Sequence, residues 1–157
     1  MINRIGFDLD GVICRDQLAK LVHMDWLFKL IYFLTAIPQI RWLYNSYFRR
    51  LDYGIKRLID FHLKAGYEVF IISGNYIRTQ PEIEQWLLRH EIFYRDISLY
   101  PGFSSGLTIA AWKAEVIKKY QIDLFFDDTP SIVRYLRENT PAIIVQYEEY
   151  EKTKDRC

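Results

Sequence analysis

The sequence predicts an α/β fold, in which a three-layer, Rossmann-like parallel sheet carries a small helical insert. Short apolar runs alternate along the chain with segments whose apolar residues recur at helical spacing, which is the order expected of βαβ units. The chain has 157 residues, of which half are hydrophobic and 26% are charged, as is typical of a globular domain. The sequence therefore predicts a single domain over residues 1–157, with the insert at about 14–50.

The first elements follow from apolar periodicity and from glycine. Ile2–Phe7 is predicted as the first strand. Leu51–Lys64 repeats apolar residues at helical spacing and stops before Gly66, a residue that commonly ends helices. Tyr67–Ile72 is then a continuous apolar run and is predicted as the second strand.

The second half of the chain continues the alternation. Pro81–His90 is predicted as a helix because its apolar residues share one face and a proline suits the first helical turn. The remaining predicted elements are a weaker strand at Tyr94–Tyr100, a helix at Thr108–Tyr120, a strand at Asp123–Phe126, a helix at Pro130–Glu138 and a strand at Ala142–Gln146. The charged tail at 148–157 is predicted to fray.

Residues 14–52 interrupt this alternation with a connection far longer than a usual strand-to-helix loop. The segment is rich in aromatic residues and reads as two helices separated at Pro38, forming a cap over the neighbouring site. Its most apolar part, Leu30–Ile40, is shorter than the roughly 20 residues that span a bilayer. A homodimer contact or a peripheral contact with a membrane surface stays open as an alternative role for this apolar insert.

The overall charge and the cysteine content bound the environment and the partners. The formal net charge of +1 gives no general attraction to nucleic acid, so we expect no nucleic acid polymer as partner. Two cysteines do not make a disulfide framework and suit a reducing, cytoplasmic location. The first residues lack the pattern of a secretory signal peptide.

Acidic residues follow two of the predicted strands. Asp8 and Asp10 come after the first, and Asp127 and Asp128 come after the fourth. The carboxyl ends of parallel strands form one ligand-binding edge, so these side chains should meet. One carboxylate can attack phosphorus while a second transfers protons, and Mg²⁺ prefers hard carboxylate oxygens. A solvated loop start is the alternative for a lone Asp-x-Asp pair, but the second acidic pair argues against it.

Ser73, Gly74 and Asn75 follow the second predicted strand, where a hydroxyl and backbone N–H groups could bind a phosphoryl oxygen. All three residues also favour plain turns. Lys113 lies in the helix before the second acidic pair, and its ammonium could neutralise a phosphoryl group. Most helical lysines are simply solvated, so the order of the motifs carries this assignment.

Taken in order, these motifs resemble those of the haloacid dehalogenase (HAD) superfamily of phosphohydrolases over nearly the whole chain. The segment from Asp8 to Val12 is similar to the family's DxDx(T/V) motif, and Ser73, Lys113 and the Asp127–Asp128 pair are similar to its three later motifs. The resemblance implies a HAD-like core with a small C1-type cap.

The resemblance also implies roles for the matching residues. It makes Asp8 the nucleophile, Asp10 the acid and base, and Mg²⁺ the cofactor, held by Asp8, Asp128, the Asp10 carbonyl and Asp127, the last directly or through water. Motif four lacks a further downstream acid, so the full set of Mg²⁺ ligands stays open.

The function predicted on this basis is Mg²⁺-dependent hydrolysis of a phosphate monoester through an aspartyl-phosphate on Asp8. The substrate is a small phosphorylated metabolite, with a nucleotide among the candidates because aromatic residues of the insert can stack on a base. Basic side chains that could bind a second anionic group are Arg15, Lys20, His23, Arg49, Arg50 and Arg78, although a solvated surface charge is the favoured interpretation of each.

Three rival functions use similar residues. A receiver domain has its paired acids after the first strand, whereas here the adjacent pair comes near the end of the chain. A phosphotransferase or phosphomutase on the same scaffold needs a larger cap to exclude water. A non-catalytic HAD-like binding protein would keep the fold without the reaction, yet every residue type that the reaction requires is present.

Overall fold

The computed structural model describes residues 3–16, 49–102 and 106–147. Five parallel strands form one sheet in the order β5-β4-β1-β6-β7, and two short antiparallel strands, β2 and β3, form a separate ribbon. The strands are β1 Arg4–Phe7, β2 Cys14–Asp16, β3 Arg49–Leu51, β4 Glu68–Tyr76, β5 Asp96–Tyr100, β6 Leu124–Asp127 and β7 Ile143–Gln146. The predicted parallel α/β sheet is confirmed.

Helices cover both faces of the sheet. They are α1 Tyr53–Lys64, α2 Gln80–Arg89, α3 Ile109–Lys119 and α4 Pro130–Asn139, with a short 3-10 turn at Ile77–Thr79. Helices α1 and α2 pack in one apolar core, and α3 and α4 pack in a second one. Along β4, Val69 and Ile71 enter the first core while Phe70 and Ile72 enter the second, as the alternation of a strand buried on both faces requires. The three-layer arrangement follows.

The register of the central strands brings the functional edge together. Phe7, the last residue of β1, pairs with Ile71 of β4 and with Phe126 of β6. Because the strands are parallel, the residues that continue from each of these three positions emerge at the same edge of the sheet. The ring of Phe7 also stacks on that of Phe126, with centroids 5.0 Å apart. This stacking lies directly beneath the edge and fixes the two central strands to each other.

The helix predicted over Leu51–Lys64 begins two residues later than expected. Leu51 ends β3, and the Asp52 carboxylate caps α1 by accepting hydrogen bonds from the N–H groups of Gly54, at 2.8 Å, and Ile55, at 3.2 Å. Aspartate is among the residues that best satisfy the unpaired N–H groups at a helix start. The apolar periodicity was right about the buried face of α1, but it could not separate the end of β3 from the helix.

The second predicted strand is longer than Tyr67–Ile72. Strand β4 continues to Tyr76, so the segment 73–75 lies within the end of the strand and not in a turn beyond it. The pairing of β4 with β5 shifts register between Ser73 and Tyr76. Such an irregularity bends a strand and re-aims its side chains, which suits residues at the working edge of the sheet.

The ends of the insert also differ from the prediction. Residues 14–16 and 49–51 pair as antiparallel strands, with Asp16 opposite Arg49, so the insert predicted at about 14–50 is not helical at either end. The two helices predicted in between, and the charged tail at 148–157, lie outside the described residues. Among the residues that the structure describes, we find no helix that is long and apolar enough to cross a membrane.

Candidate active site

Lys113 stands at the centre of the acidic edge, between two carboxylates. Its Nζ lies 2.8 Å from Asp8 Oδ2 and 2.7 Å from Asp127 Oδ2. The lysine side chain is only 1% exposed and that of Asp127 is fully buried. Burial alone would lower the pKa of Lys113, but the two carboxylates outweigh it and raise the pKa above its ordinary value. A buried ammonium with two carboxylate partners is not a solvated helical lysine.

Asp8 follows β1 and is held by its backbone as well as by Lys113. Its N–H donates to the Phe126 carbonyl at 2.8 Å, and its Oδ1 accepts the Leu9 N–H at 2.8 Å. Burial raises the pKa of Asp8 to about 7, with Lys113 opposing the rise and Asp127 adding to it. The carboxylate thus lies in a desolvated position where a compensating positive charge is favoured.

Three carboxylates form a cluster that can accept a metal ion. Asp8, Asp127 and Asp128 each offer one oxygen, and these oxygens lie within 4.8 Å of one another. Asp127 Oδ1 accepts the Thr129 N–H at 2.9 Å, and Asp128 Oδ1 accepts the Thr129 hydroxyl at 3.2 Å. With Asp127 bonded to Lys113 through its other oxygen, Asp128 is the more available direct ligand of this pair.

The charges and the space at this cluster fit a hard divalent cation. Three carboxylates face one ammonium, which leaves an excess of negative charge, and burial together with Asp127 raises the pKa of Asp128. Gly11 makes the room: a Cβ built on it would lie 1.8 Å from Asp128 Oδ2, and its φ of +85° favours glycine. The donor set consists of hard oxygens, as Mg²⁺ prefers.

Asp10 belongs to a different group of side chains from the acidic cluster. Its Oδ2 accepts hydrogen bonds from Arg49 Nη2, at 2.9 Å, and from Asn75 Nδ2, and its Oδ1 lies 3.2 Å from Cys14 Sγ. Strand β1 ends at Phe7, and the chain then turns at Leu9 and again at 11–13, with Asp10 in an isolated bridge to Cys14, so the backbone from Asp8 to Asp10 is not a continuous strand. The predicted contribution of Asp10 to metal binding, through its backbone carbonyl, stays a prediction.

Ser73 and Asn75 are joined to each other at the end of β4. The Ser73 hydroxyl oxygen accepts from Asn75 Nδ2 at 2.8 Å and from the Asn75 N–H at 3.3 Å. A hydroxyl that accepts two hydrogen bonds keeps its own proton as a donor. The predicted phosphate-binding role of Ser73 fits this arrangement, whereas the Asn75 side chain already contacts Asp10 and Ser73. A Cβ on Gly74 would lie 3.2 Å from Ile109, so the chain runs close to α3 here.

The basic residues considered for substrate binding separate into different environments. Arg15 pairs with Asp52 at 2.8 Å, and the Arg78 guanidinium lies 5.3 Å from the centre of the Tyr76 ring. Arg50 is exposed, whereas Arg49 is buried and contacts Asp10. Lys20 and His23 lie outside the described residues.

Sequence reasoning missed Cys14 altogether and did not connect Arg49 or Asn75 with Asp10. A buried cysteine at the start of a short strand gives no sequence signal of a polar contact, and the two partners of Asp10 come from 39 and 65 residues further along the chain. The structure therefore supplies the surroundings of Asp10, which the motifs could not.

No protein-family model matches the sequence, and no curated protein matches it. Solved structures share its fold. A chain of a Pnkp1/Rnl/Hen1 RNA repair complex superposes with a TM-score of 0.68 at 14% identity, over 92% of this chain and 42% of that one, so this chain spans less than half of that neighbour's length.

Two further neighbours are HAD enzymes of similar size. A HAD-superfamily hydrolase of subfamily IA from Geobacter sulfurreducens gives a TM-score of 0.61 at 14% identity, covering 93% of this chain and 89% of that chain. A HAD family enzyme from Bacteroides thetaiotaomicron, solved with magnesium and inorganic phosphate, gives 0.54 at 15% identity, covering 93% and 94%. At these identities the likeness establishes a HAD-like Rossmann core for this chain, and the chemistry rests on its own residues.

Proposed function

We propose that this protein hydrolyses a phosphate monoester, with Mg²⁺ as cofactor, through an aspartyl-phosphate on Asp8. The observation that carries the proposal is the buried Lys113 ammonium between Asp8 and Asp127, beside an acidic cluster that includes Asp128. A nucleophilic carboxylate, a fixed cation and a divalent-metal site at one edge are the parts that phosphoryl transfer requires. The HAD hydrolases among the structural neighbours support the same class of reaction.

The reaction takes two displacements at phosphorus. An oxygen of Asp8 forms a bond to phosphorus as the ester P–O bond breaks, and Asp10 gives its proton to the departing alkoxide oxygen. A water molecule then attacks the phosphorus of the aspartyl-phosphate and loses a proton to Asp10. The P–O bond to Asp8 breaks in this step, which releases inorganic phosphate and restores both side chains.

The remaining residues stabilise the phosphoryl oxygens. The Lys113 ammonium stands 2.8 Å from the nucleophile, and the Ser73 hydroxyl, which keeps its proton to donate, lies at the end of the adjacent strand. Asp8, Asp128 and the Asp10 carbonyl, with Asp127 directly or through water, would hold Mg²⁺. The ion, when bound, neutralises the clustered carboxylates and the charge on the transferring group.

The substrate class that we propose is a small phosphorylated metabolite, with nucleotides included. Purified protein is to be assayed for release of inorganic phosphate from a panel of sugar phosphates, nucleotides and amino acid phosphates. An RNA oligonucleotide with a phosphorylated end belongs in the panel, because one structural neighbour is part of an RNA repair complex. Turnover of the oligonucleotide in preference to every metabolite would contradict the expected substrate class.

The chemical step is tested with Asp8→Asn, which keeps the shape of the side chain but removes the nucleophile. The variant should fold, show no turnover, and form no covalent phosphoprotein detectable by mass spectrometry. Asp60→Asn is the control, because Asp60 pairs with Lys56 within α1 and is not a member of the acidic cluster. EDTA should stop the wild-type reaction and Mg²⁺ should restore it. Near-wild-type turnover by Asp8→Asn, or full activity in chelator, would refute the proposal.

A further inference from the structure

Asp10, Arg49 and Asn75 form a closed triangle of hydrogen bonds. Arg49 Nη2 donates to Asp10 Oδ2 at 2.9 Å and to Asn75 Oδ1 at 3.2 Å, and Asn75 Nδ2 donates to the same Asp10 oxygen. The Cys14 thiol lies 3.2 Å from the other oxygen of Asp10. Asp10 Oδ2 therefore accepts from two side-chain N–H donors, which restricts the rotation of the group, while the single Cys14 S–H is shared between Asp10 Oδ1 and the Leu9 carbonyl.

Burial differs sharply within this triangle. The Arg49 side chain is 5% exposed, whereas that of Asp10 is 42% exposed. A guanidinium is costly to bury unless charged and polar partners surround it, so Arg49 is a built part of the site. Its neighbour Arg50, on the opposite face of β3, is exposed. The buried arginine thus contacts a carboxylate that is itself partly exposed to solvent.

The supporting residues come from three separate strands. Cys14 begins β2, Arg49 begins β3 and Asn75 lies near the end of β4. Strands β2 and β3 are the two ends of the insert, and they pair with Asp16 opposite Arg49. The orientation of Asp10 therefore depends on closure of the ribbon at the base of the insert.

We propose that Arg49 and Asn75 are positioning residues that hold the Asp10 carboxyl group in the orientation needed for proton transfer from its acid form to the leaving group. The inference rests on the proposed phosphatase function and adds to it the residues that make Asp10 effective. Proton transfer needs donor and acceptor within hydrogen-bond reach, and a carboxylate free to rotate spends less time in that geometry. The Asn75 side chain serves Asp10 in this arrangement, in place of the phosphate-binding role that its sequence position predicted.

The test compares two substrates of similar shape whose leaving groups differ in their need for a proton. The alcohol released from benzyl phosphate requires protonation as it leaves, whereas 4-nitrophenolate leaves from 4-nitrophenyl phosphate without it. The value of kcat/KM reports the first displacement, so it isolates this step. Asp10→Asn should lower kcat/KM for benzyl phosphate by about 10²–10⁴-fold and affect the nitrophenyl ester far less.

Arg49→Met and Asn75→Ala should each lower kcat/KM for benzyl phosphate more than for 4-nitrophenyl phosphate, as Asp10→Asn does, but by less. The expected loss for benzyl phosphate is about 10–100-fold, because only part of the general-acid contribution is removed. Arg50→Met, which removes an exposed arginine from the same strand, should change neither substrate. In an Asp10→Asn background, the Arg49 and Asn75 substitutions should add no further selective loss, because the group that they position is gone. If Arg49→Met does not fold, Asn75→Ala carries the same test.

An equal loss on both substrates would overturn the inference, since a structural or substrate-binding role lowers both together. A loss that persists in the Asp10→Asn background would overturn it as well. In either case the wild-type enzyme and its Asp8→Asn variant still behave as the proposed function requires. A wild-type protein that hydrolyses no phosphate ester is a different result, because it removes the proposed function and the catalytic meaning of the triangle with it.

Discussion

Lys113→Met isolates the electrostatic balance of the site, because it removes the only cation that contacts both Asp8 and Asp127 among the described residues. Methionine has a similar length and fills the same buried space without charge. Removing one partner from a buried ion pair costs about 3–5 kcal/mol, since the other charge is left uncompensated. For a domain of this size each kcal/mol moves the melting temperature by about 2–4 °C, so the variant should melt about 6–20 °C lower in EDTA.

Magnesium should narrow the difference in melting temperature between the wild type and Lys113→Met. A ligand at 100 times its Kd stabilises the folded state by about 2.7 kcal/mol. The acidic cluster of the Lys113→Met variant carries one more uncompensated negative charge than that of the wild type, so Mg²⁺ should bind it more tightly and raise its melting temperature further. Differential scanning calorimetry in EDTA and in graded Mg²⁺ measures both effects. Combining Lys113→Met with Asp8→Asn should recover part of the lost stability, because Asp8→Asn replaces one of the two carboxylates left without a cation by a neutral amide.

Lys118→Met is the matched control on the same helix. Lys118 makes an exposed pair with Glu115 at 3.5 Å, and such a pair contributes about 0.5 kcal/mol or less. A Lys113→Met melting temperature as close to that of the wild type as the Lys118→Met melting temperature, both in chelator, would contradict a stabilising role of the Lys113 charge. Equal stabilisation of the wild type and of Lys113→Met by Mg²⁺ would contradict it as well.

Two other substitutions test the metal cluster and the base of the insert. Gly11→Ala should displace Asp128 and so weaken Mg²⁺ binding about 10–100-fold, which titration calorimetry can measure. Gly66→Ala is the control, because Gly66 has the same φ of +85° but a Cβ built there has no atom within 4 Å. An equal loss of Mg²⁺ affinity in Gly66→Ala would refute the steric explanation. Asp52→Asn should cost about 1–2 kcal/mol in urea unfolding at pH 7, because it removes the charged partner of Arg15. Burial alone would raise the pKa of Asp52, but its hydrogen bonds lower the pKa below the ordinary value of 3.8. The stability that the charged Asp52 contributes is therefore present above pH 3.8 and is lost as the pH falls further. A difference in unfolding free energy between the wild type and Asp52→Asn that does not change with pH would contradict this.

The convergence of the motifs was predictable from sequence because strands buried on both faces are recognisable as apolar runs. Once Asp8, Ser73 and Asp127 are assigned to the ends of such runs, a parallel sheet brings them to one edge without further information. The prediction for Lys113 depended on motif order alone. Its burial at 1% exposure follows from the packing of α3 under the edge, which periodicity does not report.

The surroundings of Asp10 could not be predicted in the same way. Arg49 and Arg50 are adjacent and identical in type, and only the pleat of a three-residue strand sends one inward and the other to solvent. Strands this short leave no alternating pattern to detect. An asparagine at position 75 could lie in a turn, bind a phosphate or hydrogen-bond to a carboxylate. Which of these roles it takes depends on contacts with residues that are distant in sequence.

The two carboxylates with proposed catalytic roles differ in what holds them. Asp8 is fixed by Lys113 and by the backbone of the central strands, all within the sheet and α3. Asp10 is fixed partly by Arg49, which lies on a strand that closes the insert. In the proposed mechanism, attack on phosphorus therefore depends on the core, while proton transfer to the leaving group depends on the core and the insert together. It follows that changes in the insert should alter which leaving groups are released before they alter the reactivity of Asp8.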